Sequence, residues 1–273
     1  MKLSNWLLPP EIKRHLDLVL RSFLKKEISF SENAVFKNIC KENKRCFILG
    51  CGPSINQINL EPLKNELCIS VSNFFVHKDF SLVSPKFHVF APSHPPITES
   101  QFTNWLFEFS KYISDKQTVF YSHSDSRFIK KSNILDKINN YCYSVSKKEV
   151  DINNEIEFTK QIPNIMTVVH IAIYLAIYIG VKEIYLLGVD HDWLQSYGKS
   201  SHFYKENESK LAESGYDEYS YTDLETEFYS HYHLWKIYKE IKKYSIKHGI
   251  QIFNANPDSF LDVFPRKAYN SLF

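Results

Sequence analysis

From about residue 44 onward, short apolar runs alternate with longer segments of helical pattern. The runs read CFILG, LCISVSN, FHVFAPS, QTVFYSH, KEIYLLGVD and IQIFNA. The helical segments between them include LEPLKNE, ITESQFTNWLFEFSKYI, residues 165–179 and residues 224–248. Strands that alternate with helices form βαβ units, so the sequence predicts a single α/β domain with a mostly parallel sheet, covered on both faces. Ligands of such sheets bind beyond the carboxyl ends of the strands.

Two segments lie outside this alternation. Residues 1–43 are predicted to form an N-terminal helical extension, because apolar residues recur at helical spacing after Pro9 and Pro10. That helix either packs on the main domain or lies on a membrane surface, with Trp6 and its neighbours in the interface and basic residues towards anionic lipid. Residues 44–273 are assigned to one catalytic domain. Within it, the polar segment of residues 197–229 is predicted to be a lid, since long polar loops in compact domains are usually lids or disordered.

The composition favours a folded protein that handles small polar ligands. The 273 residues are 44% hydrophobic, and 33 basic against 31 acidic residues give a formal charge of +2. That balance argues against a polybasic nucleic-acid binder. Five cysteines without a Cys-x-x-Cys pair, and an N-terminus without a secretion signal, predict a cytoplasmic protein, with the inner face of the cytoplasmic membrane as the alternative location. The longest apolar run, residues 165–179, is about fifteen residues long and too short to cross a bilayer, so a buried helix is predicted there.

The first apolar run ends in the turn Gly50-Cys51-Gly52-Pro53-Ser54. Two glycines would let the backbone approach a ligand, and the amides that open a following helix attract anions. The third glycine of the dinucleotide fingerprint is missing, because Ile55 stands there, and Pro53 removes an amide donor. A nucleotide or phosphate cradle is the preferred interpretation, and a purely structural turn stays open.

A pair of aspartates follows the run KEIYLLGV, in the order Asp190-His191-Asp192. An Asp-x-Asp after a buried strand is typical of nucleotide-sugar transferases that hold Mg²⁺ or Mn²⁺ across a diphosphate, because these cations prefer oxygen ligands. A structural or sugar-contacting role for the same two carboxylates is the other interpretation.

Three blocks of the chain together resemble a known family. FILGCGPSINQINLEPLKNE, SVSNFF and TVVHIAIYLAIYIGVKEIYLLGVDHDW resemble the bacterial sialyltransferases of glycosyltransferase family 42. They are also similar to the motility-accessory flagellin glycosyltransferases and the hydroxymethylpterin pyrophosphokinase-like proteins. The similarity covers roughly residues 44–257 and lies in the order and spacing of the blocks. It implies a Rossmann-like catalytic domain that needs no metal.

The resemblance implies a set of residues that contact the nucleotide and donor sugar. In this sequence they are Gly50, Cys51, Gly52, Pro53, Ser54, Asn73, Ser93, Thr167, Asp190, His191, Asp192 and Tyr204. Ser93 stands where the family has an asparagine, and Thr167 keeps one hydroxyl of a Thr-Ser-Gly pattern. Asp192 replaces a tyrosine that binds the leaving phosphate, a role that a protonated His191 could take over.

The resemblance also implies three catalytic histidines. His202 falls where a second phosphate-contacting tyrosine is expected, so it is the predicted donor to the leaving group. His231 and His233 open the last helix, where the family places its general base. Two residues apart, they face different sides of a helix, and His231 ranks first because it lies towards the side of Leu234 that packs on the sheet.

These features predict an inverting glycosyltransferase that moves a nonulosonic (sialic-acid-like) acid from a CMP-activated donor to a saccharide or lipid-linked saccharide acceptor, in bacterial surface polysaccharide assembly. No cofactor is required in this interpretation, and Mg²⁺ or Mn²⁺ at Asp190 and Asp192 is the alternative. Two other functions stay open. One is an ATP- and Mg²⁺-dependent pyrophosphokinase, and the other is a nucleotide-binding scaffold without catalysis. No nucleic-acid partner is expected.

Overall fold

The computed structural model describes residues 29–94, 97–148, 155–194, 202–203, 223–256 and 258–273. The eight strands among them form one sheet in the order β6-β5-β4-β3-β2-β1-β7-β8. Their bounds are Arg45–Leu49 (β1), Leu67–Val71 (β2), Phe87–Val89 (β3), Thr118–Ser122 (β4), Asn139–Val145 (β5), Gln161–Ile162 (β6), Glu183–Leu187 (β7) and Gln251–Asn254 (β8). All seven strand pairs are parallel. The prediction of an α/β domain with a parallel sheet is therefore confirmed.

In the described residues, five α-helices and several 3-10 turns connect these strands. The helices are Phe80–Val83 (α1), Glu99–Ser110 (α2), Ser126–Ser132 (α3), Val168–Tyr178 (α4) and Leu224–Lys247 (α5). The chain after β1 and β2 makes the 3-10 turns Pro53–Gln57, Glu61–Asn65 and Ser72–Val76. The segment LEPLKNE, predicted as helix, is thus a five-residue 3-10 turn. The connection from β1 to β2 is divided between this turn and the turn Pro53–Gln57, and each is too short to be an α-helix of ordinary length.

The sheet separates two hydrophobic cores. Along β1, Cys46 and Ile48 face a core built with α4 and α5, whereas Phe47 and Leu49 face an aromatic core that includes Trp105 of α2. Helix α4 is buried along almost its whole length. The predicted buried helix is therefore confirmed for residues 168–178 of the apolar run of residues 165–179.

Helix α5 packs one face on the sheet and leaves the other towards solvent. Leu234, Ile237, Tyr238 and Ile241, which the sequence assigns to the packed face, are all at most 2% exposed. Asp223 caps the helix by accepting a hydrogen bond from the Thr226 amide at 2.7 Å. Residues 224–229, which the predicted lid included, are the first turns of this helix.

The residues just before β1 also belong to this packing. Phe36, in the 3-10 turn Ser31–Phe36, places its ring 5.1 Å from Phe120 and 4.6 Å from Tyr141. Asn33 donates two hydrogen bonds of 2.8 Å to backbone carbonyls, one of which belongs to Phe158. The predicted N-terminal helix and its membrane-surface alternative fall on residues 1–28, outside the described residues.

None of the helices in the described part of the chain is both long and apolar enough to cross a membrane. All five cysteines are free thiols. Of the predicted lid, residues 197–201 and 204–222 lie outside the described residues.

Candidate active site

The sheet has a topological switch point between β1 and β7. From β1 the chain continues to β2 on one side, whereas β7 and β8 lie on the other side of β1. In open α/β sheets, ligands bind beyond the carboxyl ends of the strands at such a point. The two segments that flank it are the turn of residues 50–54, which follows β1, and residues 188–192, which follow β7.

These two segments are packed directly against each other. The Gly50 amide donates to the Leu187 carbonyl and the Gly52 amide to the Gly188 carbonyl, each at 2.8 Å. A Cβ atom on Gly50 would lie 2.4 Å from the Gly188 oxygen, and one on Gly52 would lie 2.5 Å from Oδ2 of Asp190. The glycines are therefore required by contacts inside the protein. The sequence suggested that the space next to Gly50 and Gly52 would admit a ligand. Gly188 and Asp190 fill that space instead.

Asp190 joins three loops at this edge of the sheet. Its Oδ2 accepts from the Ser54 amide at 2.8 Å, and its Oδ1 accepts from the Ser54 hydroxyl at 2.5 Å and from Nδ2 of Asn256 at 2.9 Å. Burial raises the pKa of this carboxyl, and the hydrogen bonds from Ser54 and Asn256 oppose the rise. The carboxylate oxygens are thus engaged with donors of the protein. Sequence reasoning missed Asn256, although the run NANPD at the end of β8 was a usable signal.

The same arrangement occurs a second time, between β3 and β4. Asp125 accepts hydrogen bonds from the Ser93 amide, at 3.0 Å, and from the Ser93 hydroxyl. Ser93 follows Pro92 just as Ser54 follows Pro53, and each serine lies in the segment that follows its strand. Burial raises the pKa of Asp125 as well.

Two more predicted donor-binding residues have structural contacts. Asn73 is 6% exposed, and its Oδ1 accepts a hydrogen bond from the indole N–H of Trp105. It lies after β2, between the strands that carry the Ser54–Asp190 and Ser93–Asp125 pairs. Thr167 is the N-cap of α4, and its hydroxyl oxygen accepts from the Val169 amide at 3.4 Å. Their contacts with a donor stay predictions.

His191 is buried beneath the switch point in a left-handed backbone conformation, with φ of 52°. Its Nε2 is 2.7 Å from the Tyr238 hydroxyl. Burial, together with nearby His231, lowers the pKa of His191 to about 3. At neutral pH the ring is therefore neutral and cannot be the protonated phosphate donor that the sequence allowed.

Among the residues that the structure describes, no three His, Cys, Asp or Glu side chains are grouped as a metal site.

His231 lies on the buried side of α5, as its helical spacing predicts. The side chain is 8% exposed, and its Nδ1 is 2.7 Å from the Glu227 carbonyl oxygen. A carbonyl only accepts hydrogen bonds, so Nδ1 carries the hydrogen, and in the neutral ring the lone pair is on Nε2. Nε2 is buried and has no hydrogen-bond partner among the described residues. This is the protonation pattern that a general base requires.

His233 points to the other side of the same helix. It is partly exposed and contacts the rings of Tyr229 and Tyr232, which are 65% and 64% exposed. The structure thus separates the two histidines of α5 into one buried and one surface side chain.

A short described segment, residues 202–203, lies over the turn after β1. The Phe203 amide donates to the Cys51 carbonyl at 2.8 Å, and Nδ2 of Asn56 donates to the Phe203 carbonyl at 2.9 Å. The Phe203 ring packs 5.1 Å from that of His77. His202 is therefore next in sequence to a residue bound to the predicted donor-binding turn. Tyr204 lies outside the described residues.

A pocket of about 420 Å³ opens beside this edge of the sheet, at the carboxyl end of β8. Ser54 and Asn256 line it, so it adjoins the Ser54–Asp190 pair. Its other lining residues are Gln57, Ile58, Asn254, Ala255, Asp258, Arg266, Lys267, Ala268, Tyr269 and Asn270. Of the predicted site residues, Ser54 contributes to this pocket.

No family model and no curated protein matches the sequence. Among solved structures, the chain is similar to the sialyltransferase CstII from Campylobacter jejuni in complex with a substrate analogue, cytidine-5'-monophosphate. The identity is 19%, over 83% of this chain and 86% of that chain, with a TM-score of 0.48. CstII in complex with a trisaccharide acceptor and CMP is also 19% identical, over 83% and 87%, with a TM-score of 0.47. Similarities of this size assign no role to any residue.

Proposed function

We propose that the protein is a glycosyltransferase that moves a sugar of the nonulosonic class from a CMP-activated donor to a saccharide acceptor in bacterial surface polysaccharide assembly. The donor is proposed to occupy the switch-point crevice, beyond the carboxyl ends of β1, β2 and β7. Support comes from the ordered sequence blocks that resemble family 42 sialyltransferases, and from the position of their Gly-x-Gly-Pro-Ser turn at the switch point. The membrane-surface location rests on residues 1–28, outside the described residues, and a lipid-linked saccharide is the alternative acceptor.

The observation that carries the proposal is the environment of His231. Its Nδ1 is held by the Glu227 carbonyl, and its buried Nε2 has no partner among the residues described. A buried polar atom is normally hydrogen-bonded. Among the described residues, the Nε2 atoms of His77, His88 and His170 are unpartnered as well. His231 is the one that also packs against two partly exposed indole rings, those of Trp193 and Trp235, so its lone pair fits a site that receives an O–H from a substrate.

The reaction that follows is an inverting transfer. Nε2 of His231 takes the proton from an acceptor hydroxyl, and the oxygen of that hydroxyl bonds to the anomeric carbon of the donor sugar. The bond from the anomeric carbon to the phosphate oxygen breaks, and CMP leaves with the electron pair. We propose that His202 donates a hydrogen bond to this departing phosphate, because residues 202–203 lie over the turn after β1.

No metal ion is assigned a step in this reaction. Both oxygens of Asp190 already accept hydrogen bonds from Ser54 or Asn256. A CMP-linked sugar carries one phosphate, whereas cation-bridging sites of this type serve diphosphates. Transfer is therefore expected to survive EDTA. Complete loss in EDTA that Mg²⁺ or Mn²⁺ reverses would favour the pyrophosphokinase interpretation instead.

Nucleotide recognition can be tested by thermal unfolding with CMP, CDP, UDP, GDP and ATP, each with and without Mn²⁺. A ligand at about 100 times its dissociation constant adds about 2.7 kcal/mol to the free energy of unfolding. CMP should stabilise the protein most, whether or not Mn²⁺ is present. Stabilisation by ATP alone would contradict a CMP-linked donor, and stabilisation by CMP without any turnover would favour the scaffold interpretation.

The base can be tested with two histidines of one helix. His231→Ala should lower kcat by about 10² to 10⁴ with little change in CMP affinity, because it removes proton transfer but not nucleotide contacts. His233→Ala is the matched control and should stay near the parent, since that side chain lies on the outer face of α5. Parental turnover in His231→Ala would rule out His231 as the base.

A further inference from the structure

His231 lies between two indole rings. The ring of Trp193 meets it edge-on, with centroids 5.6 Å apart and an interplanar angle of 77°. The ring of Trp235 is closer to parallel, at 6.2 Å and 26°. Both tryptophans are partly exposed, whereas the imidazole between them is 8% exposed. A molecule that reaches Nε2 of His231 would therefore come close to these two rings.

The two indoles are held in place by contacts within the protein. The indole N–H of Trp235 donates to Oδ1 of Asp262 at 2.9 Å. On the inner side, the His191 ring packs 4.9 Å from Trp193 and 6.0 Å from Trp235. His191 is itself bound to Tyr238 at 2.7 Å. A ligand that stacks here would lose little free energy in fixing the rings, because they are preorganised.

Two further aromatic side chains of α5 lie close to His231 in the sequence and are exposed. Phe228 and Tyr232 are 56% and 64% exposed. They precede Trp235 by seven and three residues, which places all three on one face of the helix. We call Trp193, Phe228, Tyr232 and Trp235 the aromatic strip. None of its members is charged.

The chemistry of the strip and of Nε2 together selects a class of ligand. A pyranose ring offers C–H faces that pack on aromatic rings, and a rim of hydroxyls that donate hydrogen bonds. The uncharged strip suits the first feature. The buried acceptor Nε2 suits the second, because it has no donor among the described residues and can accept one hydrogen bond from a ligand.

We propose that the aromatic strip is the subsite for the acceptor saccharide. One sugar ring packs on the exposed parts of Trp193 and Trp235 and presents its reacting hydroxyl to Nε2 of His231, and further rings extend over Tyr232 and Phe228. The proposal rests on the proposed function for the transfer step. Saccharide binding itself can be measured independently of that step.

The experiment measures saccharide binding and CMP binding separately. Saturation-transfer NMR on the full chain with a panel of neutral oligosaccharides, including lactose and lacto-N-tetraose, reports saccharide contacts. Thermal stabilisation by CMP reports the nucleotide site. The variants are Trp193→Leu, Trp235→Leu and the conservative Trp235→Phe. Tyr229→Leu is the matched control, because Tyr229 is 65% exposed on the same helix but contacts His233 instead of the strip.

We expect the parent to bind at least one oligosaccharide, and each leucine variant to bind it at least about tenfold more weakly. Trp235→Phe should keep most of the affinity, and Tyr229→Leu should match the parent. CMP should stabilise all of these variants equally, which also shows that they are folded. Where the parent binds no member of the panel, or the leucine variants bind as the parent does, the acceptor subsite is not the aromatic strip. Failure of CMP to stabilise the parent would instead contradict the proposed function. The saccharide-binding measurements would still show whether the aromatic strip binds saccharides.

Discussion

At the scale of single residues, Gly52 shows how the turn after β1 is determined by packing. Its φ of −66° and ψ of 150° are accessible to any L-amino acid. A Cβ atom there would nevertheless lie 2.5 Å from Oδ2 of Asp190 and 2.9 Å from the Gly188 oxygen. Glycine is therefore needed at this position for space and not for backbone conformation.

Gly52→Ala is expected to lower the free energy of unfolding by about 1 to 3 kcal/mol, the usual range for a methyl group forced into a packed site. Urea unfolding measures this. Gly249→Ala is the informative control, because Gly249 has a φ of 63° and a Cβ atom there would meet no described heavy atom within 4 Å, so it reports conformational strain without crowding. Combining Gly52→Ala with Asp190→Ala should give a smaller loss than the sum of the two. Strict additivity would mean that the Cβ and the carboxylate do not compete for space.

Residue-level prediction from sequence succeeded for orientation and failed for contacts. The buried position of His231 and the outward position of His233 follow from a 100° rotation per residue, which any helix imposes. Helical rotation does not predict two of the contacts. One joins Nδ1 of His231 to Glu227, and the other joins Oδ1 of Asp190 to Asn256. The first depends on a side-chain rotamer, and the second joins residues 66 positions apart in the chain.

At the scale of elements, two serine–aspartate pairs fix the loops at the carboxyl edge of the sheet. Ser54–Asp190 connects the turns after β1 and β7, and Ser93–Asp125 connects those after β3 and β4. Each pair joins neighbouring strands. The turn after β2, with Asn73, lies between them, so the edge that would face a donor is bordered by hydrogen-bonded connections.

Asp125→Ala should destabilise the protein by about 1 to 3 kcal/mol, because it leaves the Ser93 amide and hydroxyl without their buried acceptor. The free energy of unfolding in urea measures the loss. Asp136→Ala, at an exposed position further along the chain, is the control and should change stability little. Equal stability of the two variants would show that the Ser93–Asp125 pair contributes nothing to the fold.

Element prediction from sequence was best where one strong pattern decided the outcome. The buried helix α4, the amphipathic helix α5 and the strands β1, β2 and β7 each come from a continuous apolar run or a clear helical period. Strand β5 was missed because its sequence, NNYCYSV, is largely polar and only one of its residues is fully buried. Strand β6 has two residues and carries no periodic signal.

At the scale of the whole molecule, the two cores enclose histidines that are kept uncharged. His88 lies in the aromatic core, where burial lowers its pKa to about 3. Its Nδ1 is 2.8 Å from the Ser70 hydroxyl, and its ring packs 4.6 Å from Phe109. Burial lowers the pKa of His191 to about 3, and that of His170 well below its usual value. In the unfolded chain each of these imidazole rings has its ordinary pKa of about 6.5.

The contribution of these histidines to stability therefore depends on pH with a known sign. Between about pH 3 and 6.5 the unfolded chain holds protons on them that the folded chain does not, so their contribution to the free energy of unfolding rises with pH and levels off above about 6.5. Asp125 and Asp190, whose pKa values are raised by burial, act in the opposite direction above their usual pKa. A comparison of variants that all keep both aspartates removes that contribution.

His88→Phe isolates one histidine, because phenylalanine suits the aromatic surroundings and cannot bind a proton. Urea unfolding between about pH 5 and 7 should show a shallower rise of stability in this variant than in the parent, by up to about 1.4 kcal/mol per pH unit below about pH 6.5. His233→Phe, at a partly exposed position, controls for the loss of a histidine as such. Parallel curves for the parent and His88→Phe would mean that the His88 ring is protonated equally in the folded and unfolded chains. Its burial in the aromatic core would then have no electrostatic consequence for the stability of the fold.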